Sequence, residues 1–154
     1  NIETMRNIIA DLRTEAVKAG YTFEYVNGAY DINEQVMRLM NGTSQKVMLV
    51  LPFTVNDTVE NSMVSEYKYT ASIWVGRKME LATISDVNET QSEKWDNRLY
   101  ELINEGNEFL EAFFAPCSTK NYRLDSKRSE QLINRTSENL DFIQIDITFT
   151  EWKE

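Results

Sequence analysis

The chain contains no histidine. That removes imidazole as a general base, the serine and cysteine triads built on it, and most zinc and haem sites. A single cysteine, Cys117, rules out an internal disulfide. It lies in Ala115-Pro116-Cys117-Ser118, with no histidine or clustered lysine and arginine beside it to activate the thiol, so it reads as a small loop side chain. The five glycines are scattered singly, which leaves no glycine-rich phosphate loop, and neither CxxC nor GxSxG occurs. No stretch approaches the roughly 18 consecutive apolar residues of a membrane span, and no basic-then-apolar leader is visible. With the unpaired cysteine, this reads as an intracellular place of folding. Basic side chains are also scarce: 16 against 25 acidic ones, a net charge of −9. Such a balance argues against binding nucleic acid by phosphate neutralisation and against docking on anionic membranes; its plain consequence is a well-solvated surface.

The 154 residues are read as one α+β domain over 1–154, long enough to bury an ordinary core. Its centre is the stretch 93–114, EKWDNRLYELINEGNEFLEAFF. There Trp95, Leu99, Leu102, Gly106, Leu110 and Phe113 recur at helical spacing, and Ile103 and Phe114 widen the face. A helix over that whole stretch would be roughly 30 Å long and would close a core. Residues 2–19 predict a first helix with Met5, Ile8, Ile9, Leu12, Ala16 and Ala19 inward, stopped by Gly20. Tyr21, Phe23 and Tyr25 alternate as in a strand, and Asn27-Gly28 predicts a hairpin with a return strand over 29–32. The spacing of Val36, Met37, Leu39 and Met40 is open between a short helix and a loop.

The run Val47-Met48-Leu49-Val50-Leu51 has no polar face and predicts a strand buried on both sides, ended by Pro52. Residues 54–63, TVNDTVENSM, are polar and read as a long loop, mobile until neighbouring subunits order it. Tyr67, Tyr69, Ala71, Ile73 and Val75 alternate against Lys68, Thr70, Ser72 and Trp74. That places Trp74 on the outer face as a contact candidate. Residues 79–92 are open between a strand and a loop, 121–125 predict a short strand, and 127–139 a loop or weak helical turn. The chain ends in its clearest strand, with Ile143, Ile145, Ile147 and Phe149 inward and Phe142 and Trp152 on the polar side. Strands on both sides of the long helix predict a mostly antiparallel sheet packed against it, with an N-terminal helix.

Carboxylate pairs such as Asp11/Glu15 and Glu101/Glu105 lie at helical spacing, where a solvated face is the ordinary outcome. Asp57, Glu60 and Glu66 lack the pattern of a calcium loop. The four Asn-x-Thr sequons, at Asn41, Asn56, Asn88 and Asn134, read as chance matches in the absence of a leader. No catalytic residue, cofactor or metal is expected.

One arrangement is familiar: an N-terminal helix, FEYVNGAYDIN, VMLVLPF, a long loop, YKYTASIWV, then WDNRLYELINEGNEFLEAFF and FIQIDITFT. This order resembles the tail-completion, or tail-terminator, proteins of tailed bacteriophages and their relatives in phage necks. The resemblance implies a non-enzymatic virion structural protein assembled in the bacterial host cytoplasm. It would be a homo-oligomeric ring, six-fold or twelve-fold, beside other neck or tail proteins. DNA would pass through without specific binding, along an axis where carboxylates outnumber basic groups. The interface candidates are Thr54, Val55, Asn56, Asp57, Thr58, Val59, Glu60, Asn61 and Trp74. The alternatives are an acidic cytosolic adaptor that binds a basic protein, and an enzyme with a carboxylate-only site.

Overall fold

Asn7 starts the first helix by accepting the Ala10 N–H at 3.1 Å, which satisfies one of the free donors at the helix end. Helix α1 therefore spans Ile8–Lys18, shorter than the 2–19 expected, with Ile8, Leu12 and Ala16 buried; Gly20, at φ +87°, turns the chain out of it. The computed structural model describes residues 4–27, 46–77, 91–115, 120–132 and 142–153. Beyond α1 these form β1 (Tyr21–Tyr25), β2 (Lys46–Val50), β3 (Thr54–Glu60), β4 (Met63–Arg77), α2 (Gln91–Lys94), a π-helical turn (Trp95–Leu99), α3 (Tyr100–Phe113), β5 (Tyr122–Leu132) and β6 (Phe142–Trp152). The hairpin return over 29–32, the segment 36–40, nearly all of 79–92 and Cys117 lie outside the described residues.

The strands form one six-stranded sheet in the order β1-β2-β4-β6-β5, with β3 pairing β4 beyond the end of β2. This corrects the expected mostly antiparallel sheet against a long helix in two respects. First, the sheet is mixed. β1 pairs in parallel with β2, Tyr21 opposite Lys46 and Tyr25 opposite Val50. The connection between them has the length that a parallel crossover needs.

Second, the helices on the sheet are short. The stretch expected as one α-helix is interrupted by the π-helical turn, whose wider ring shifts the residues before it around the axis. Trp95 is consequently 38% exposed, while Leu99, one step on along the expected face, is fully buried. From Leu99 on, the face holds: Leu102, Phe109, Leu110 and Phe113 are buried, with Ile103 and Phe114 packed beside them. Gly106 lets α3 approach β6 closely, because a Cβ there would meet Ile145 Cδ1 at 2.5 Å.

β2 is buried on both sides, as its apolar run requires. Met48 and Val50 join the main core under the helices, with Tyr69, Ile73, Val75, Ile143, Ile145, Ile147 and Phe149. Val47 and Leu49 join a second cluster on the opposite face, with Val26 and Phe142. Phe142, read from the sequence as lying on a polar face, is fully buried there.

Candidate functional site

The expected loop over 54–63 is a β-hairpin arm. From Thr54 to Glu60 the chain pairs antiparallel with β4, Thr54 opposite Thr70 and Glu60 opposite Met63, with one irregularity between Thr58 and Val59. Asn61 and Ser62 turn the chain at φ 52° and 64°. A two-residue hairpin turn with positive φ at both positions matches the right-handed twist of its strands, and asparagine tolerates it best. The segment reads as a loop because β3 has no inward face to reveal it. Every β3 residue but Val55 is exposed, so the burial alternation that marks a strand is missing. What remains is the β-branched content of Thr54, Val55, Thr58 and Val59.

β6 pairs with β4 only as far as Glu66, so the hairpin tip projects as a two-stranded ribbon. It carries Val59, 60% exposed, and Met63, 73% exposed. The interface candidates Thr54, Val55, Asn56, Asp57, Thr58, Val59, Glu60 and Asn61 thus lie together on one hairpin, Thr54–Thr58 along the sheet and Val59–Asn61 at its projecting tip. Trp74 does not join them and is not an exposed contact. Its ring packs on Phe142 at 5.5 Å between centroids, and its Nε1–H donates to Gln144 Oε1 at 2.9 Å. Gln144 Nε2 donates in turn to Asp146 Oδ1 at 2.9 Å, which also accepts from Ser72 Oγ at 2.6 Å. Trp74 is a partly buried member of a polar ladder across β4 and β6.

β5 likewise runs on from the short strand expected over 121–125 to Leu132, through residues expected as a loop or weak helical turn. Arg123, Asp125, Ser126, Lys127, Arg128 and Glu130 along it are exposed. Among the described residues no strand pairs with the outer edge of either β3 or β5.

A cluster that the sequence reading missed lies at the α1 end of the core. Glu151, 4% exposed, accepts the Tyr69 hydroxyl at 2.7 Å and the Arg6 backbone N–H at 3.1 Å. Asp11 accepts the Tyr122 hydroxyl at 2.7 Å and the Arg6 guanidinium at 2.9 Å. Burial pushes the Asp11 carboxyl up, but its bonds from Arg6 and Tyr122 outweigh that and hold it below the usual carboxylate range. The hydrogen bond from Lys120 does the same for Glu15. Burial raises both Tyr69 and Tyr122, and the bonds to Glu151 and Asp11 raise them further. The visible signal was Glu151 itself, a carboxylate in phase with Ile143, Ile145, Ile147 and Phe149. Its partners are distant in sequence, and spacing does not show them.

These shifts set a pH profile. The tyrosines bind protons more tightly folded than unfolded, so their contribution is complete below about pH 10 and is lost as pH rises further. The depressed carboxyls of Asp11 and Glu15 contribute above about pH 4 and lose that contribution as pH falls. Thermal unfolding should give a flat-topped curve that falls at both ends, and Tyr122→Phe should make the alkaline fall shallower. An unchanged alkaline limb in that variant would show that the Tyr122 hydroxyl bond does not contribute.

Between α1, β1 and α3 lies a cleft of about 260 Å³ lined by Tyr21, Lys46, Glu105 and Glu108, among others. Burial pushes the Tyr21 hydroxyl up to about 12. That hydroxyl and Glu105 Oε2 are buried without a protein partner among the described residues. The cleft has room for waters that would meet both. Glu105 Oε1 pairs with Arg77, which also reaches Glu101 at 3.6 Å. Among the described residues no group of acidic or sulfur side chains is arranged to hold a metal ion, and no helix is long and apolar enough to cross a membrane. No protein-family model matches the chain, and no curated protein matches it in sequence.

Proposed function

We propose that this chain is a bacteriophage virion structural protein, a subunit of a homo-oligomeric ring at the tail-completion or neck position. DNA passes through the ring without specific binding, and other neck or tail proteins are its neighbours. The observation that carries this reading is β3, a strand exposed over nearly its whole length, with whose outer edge no strand among the described residues pairs. An unpaired edge is a template for another chain, and a protein that works alone usually blunts or covers it. The adjoining ribbon adds two large exposed apolar side chains, Val59 and Met63. The resemblance of the sequence to that family supports the same reading, with the long loop of that resemblance replaced by β3.

The test is the mass of the purified protein across micromolar concentrations. The expected result is a closed assembly of fixed mass, six or twelve subunits, that persists on dilution. A monomer at every concentration overturns the reading. A monomer that binds a basic protein tightly favours the acidic adaptor instead.

A further inference from the structure

We infer that neighbouring subunits join edge to edge, the outer edge of β3 in one copy pairing with the outer edge of β5 in the next. This deepens the ring reading and rests on it. Strand directions are the first support. β3 runs antiparallel to β4, β6 antiparallel to β4, and β5 antiparallel to β6, so β3 and β5 point in opposite directions. Two copies in the same orientation, side by side, therefore meet as an antiparallel pair, which two edges can form without any further connection. The contact uses different surfaces on the two copies, the kind of contact that repeats around a ring.

Charge is the second support. β3 carries Asp57 and Glu60 and no basic residue, whereas β5 carries Arg123, Lys127 and Arg128 against Asp125 and Glu130. One register places Asp57 opposite Lys127 and Glu60 opposite Arg123. The step from 57 to 60 is three residues and that from 123 to 127 is four. The irregularity between Leu124 and Ser126 supplies the extra residue. The faces agree as well. Asp57 and Lys127 stand opposite Tyr67 and Ile147 of the helix-covered side, while Arg123 stands opposite Thr150 of the other side, the side that Glu60 shares with Asn56 and Thr58. In this register Arg128 faces Asn56 and Glu130 faces Thr54, so neither stands opposite a like charge, and Asp125, the extra residue at the irregularity, is bridged to Arg123.

The same register shifts each copy along its strands by the distance from Tyr67 to Ala71, four residues or about 14 Å. Spread over the four strand spacings from β3 to the next β3, that is a tilt of about 35°, the inclination that closed sheets adopt.

The test uses two complementary variants: Asp57→Lys with Glu60→Arg, which reverses β3, and Arg123→Glu with Lys127→Asp, which reverses β5. Circular dichroism confirms that each folds. Wild type should assemble, and each variant alone should assemble at least about 100-fold more weakly, because like charges then face each other. An equimolar mixture should assemble again, since each reversed edge meets its complement in the other chain. The single changes Asp57→Lys and Lys127→Asp repeat the test without disturbing the bridge from Arg123 to Asp125. If wild type assembles and the variants assemble equally well, or if mixing restores nothing, the edge pairing is wrong and the ring reading stands. If wild type never assembles, both fall, and the charges serve to keep the edges apart.

Discussion

Replacing Phe113 with alanine is expected to lower the unfolding free energy by about 3–5 kcal/mol. The side chain is fully buried and joins two layers of the molecule. Its ring stacks on Tyr122 of β5 at 5.4 Å and 16°, meets Phe114 edge-on at 4.9 Å, and lies 6.1 Å from Phe109 one turn back on α3. Lys120 Nζ stands 5.0 Å from the ring centre. Tyr122 is tied in turn to Asp11 of α1, so the cavity would open where both helices and the β5 end of the sheet converge. Backbone hydrogen bonds hold β5 in place, so the walls cannot close far and the upper part of the range applies. A domain of this size has about 5–15 kcal/mol in total, so the variant would be marginal. Urea unfolding with an unchanged slope and a lower midpoint would read the loss. A loss under about 1 kcal/mol would mean that this face of α3 is not the one that closes the core.

That Phe113 can be named from the sequence shows what a period reveals. The inward residues of α3 and β6 were legible because burial on one side imposes a repeat of 3.6 or 2 residues. β2 was legible because burial on both sides removes the repeat altogether. The architecture was not legible, and two strands account for most of that. β3 and β5 lie at the edges, where solvent reaches most of their residues. Nothing forces a hydrophobic alternation on them, so β3 reads as a loop, and β5 as a short strand over 121–125 followed by a loop or weak helical turn. The parallel pairing of β1 with β2 is a choice between distant segments that local spacing does not record. The π-helical turn moved Trp95 off a face that ideal helical geometry assigned to it.

The sequence picked out the segment now seen as β3 on grounds that the structure replaces. Polarity and length drew attention to residues 54–61, but as a loop that neighbours would order. Residues 54–60 form a strand, and among the described residues nothing pairs with its outer edge. Trp74 is partly buried where exposure was expected. Alternation correctly placed it on the outer face, yet that face is not bare, because Phe142 and Gln144 occupy it alongside.

Replacing Glu151 with alanine is expected to cost about 2–4 kcal/mol and to loosen α1 before the rest of the fold. Glu151 joins three parts of the chain. It is on β6, it accepts the Tyr69 hydroxyl of β4, and it accepts the Arg6 backbone N–H just ahead of the Asn7 cap of α1. Without the carboxylate two donors lose their acceptor, and a buried donor left unpaired costs about 1–3 kcal/mol. Tyr69 is fully buried and pays that in full, whereas Arg6 is exposed and can turn toward water, which keeps the total below the simple sum. Glu151→Gln retains an oxygen that can accept from either donor, so its loss should be smaller, near about 1 kcal/mol. In a double-mutant cycle, Tyr69→Phe should cost less in the Glu151→Ala background than in wild type, because the acceptor is already gone. Amide hydrogen exchange supplies the spatial half of the test. Amides of Ile8–Lys18 should exchange faster in Glu151→Ala, while those of β4 and β6 around Ile73 and Ile145 follow only the global loss. Uniform acceleration across all of these amides would show that Glu151 stabilises the core as a whole and does not hold α1 against the sheet.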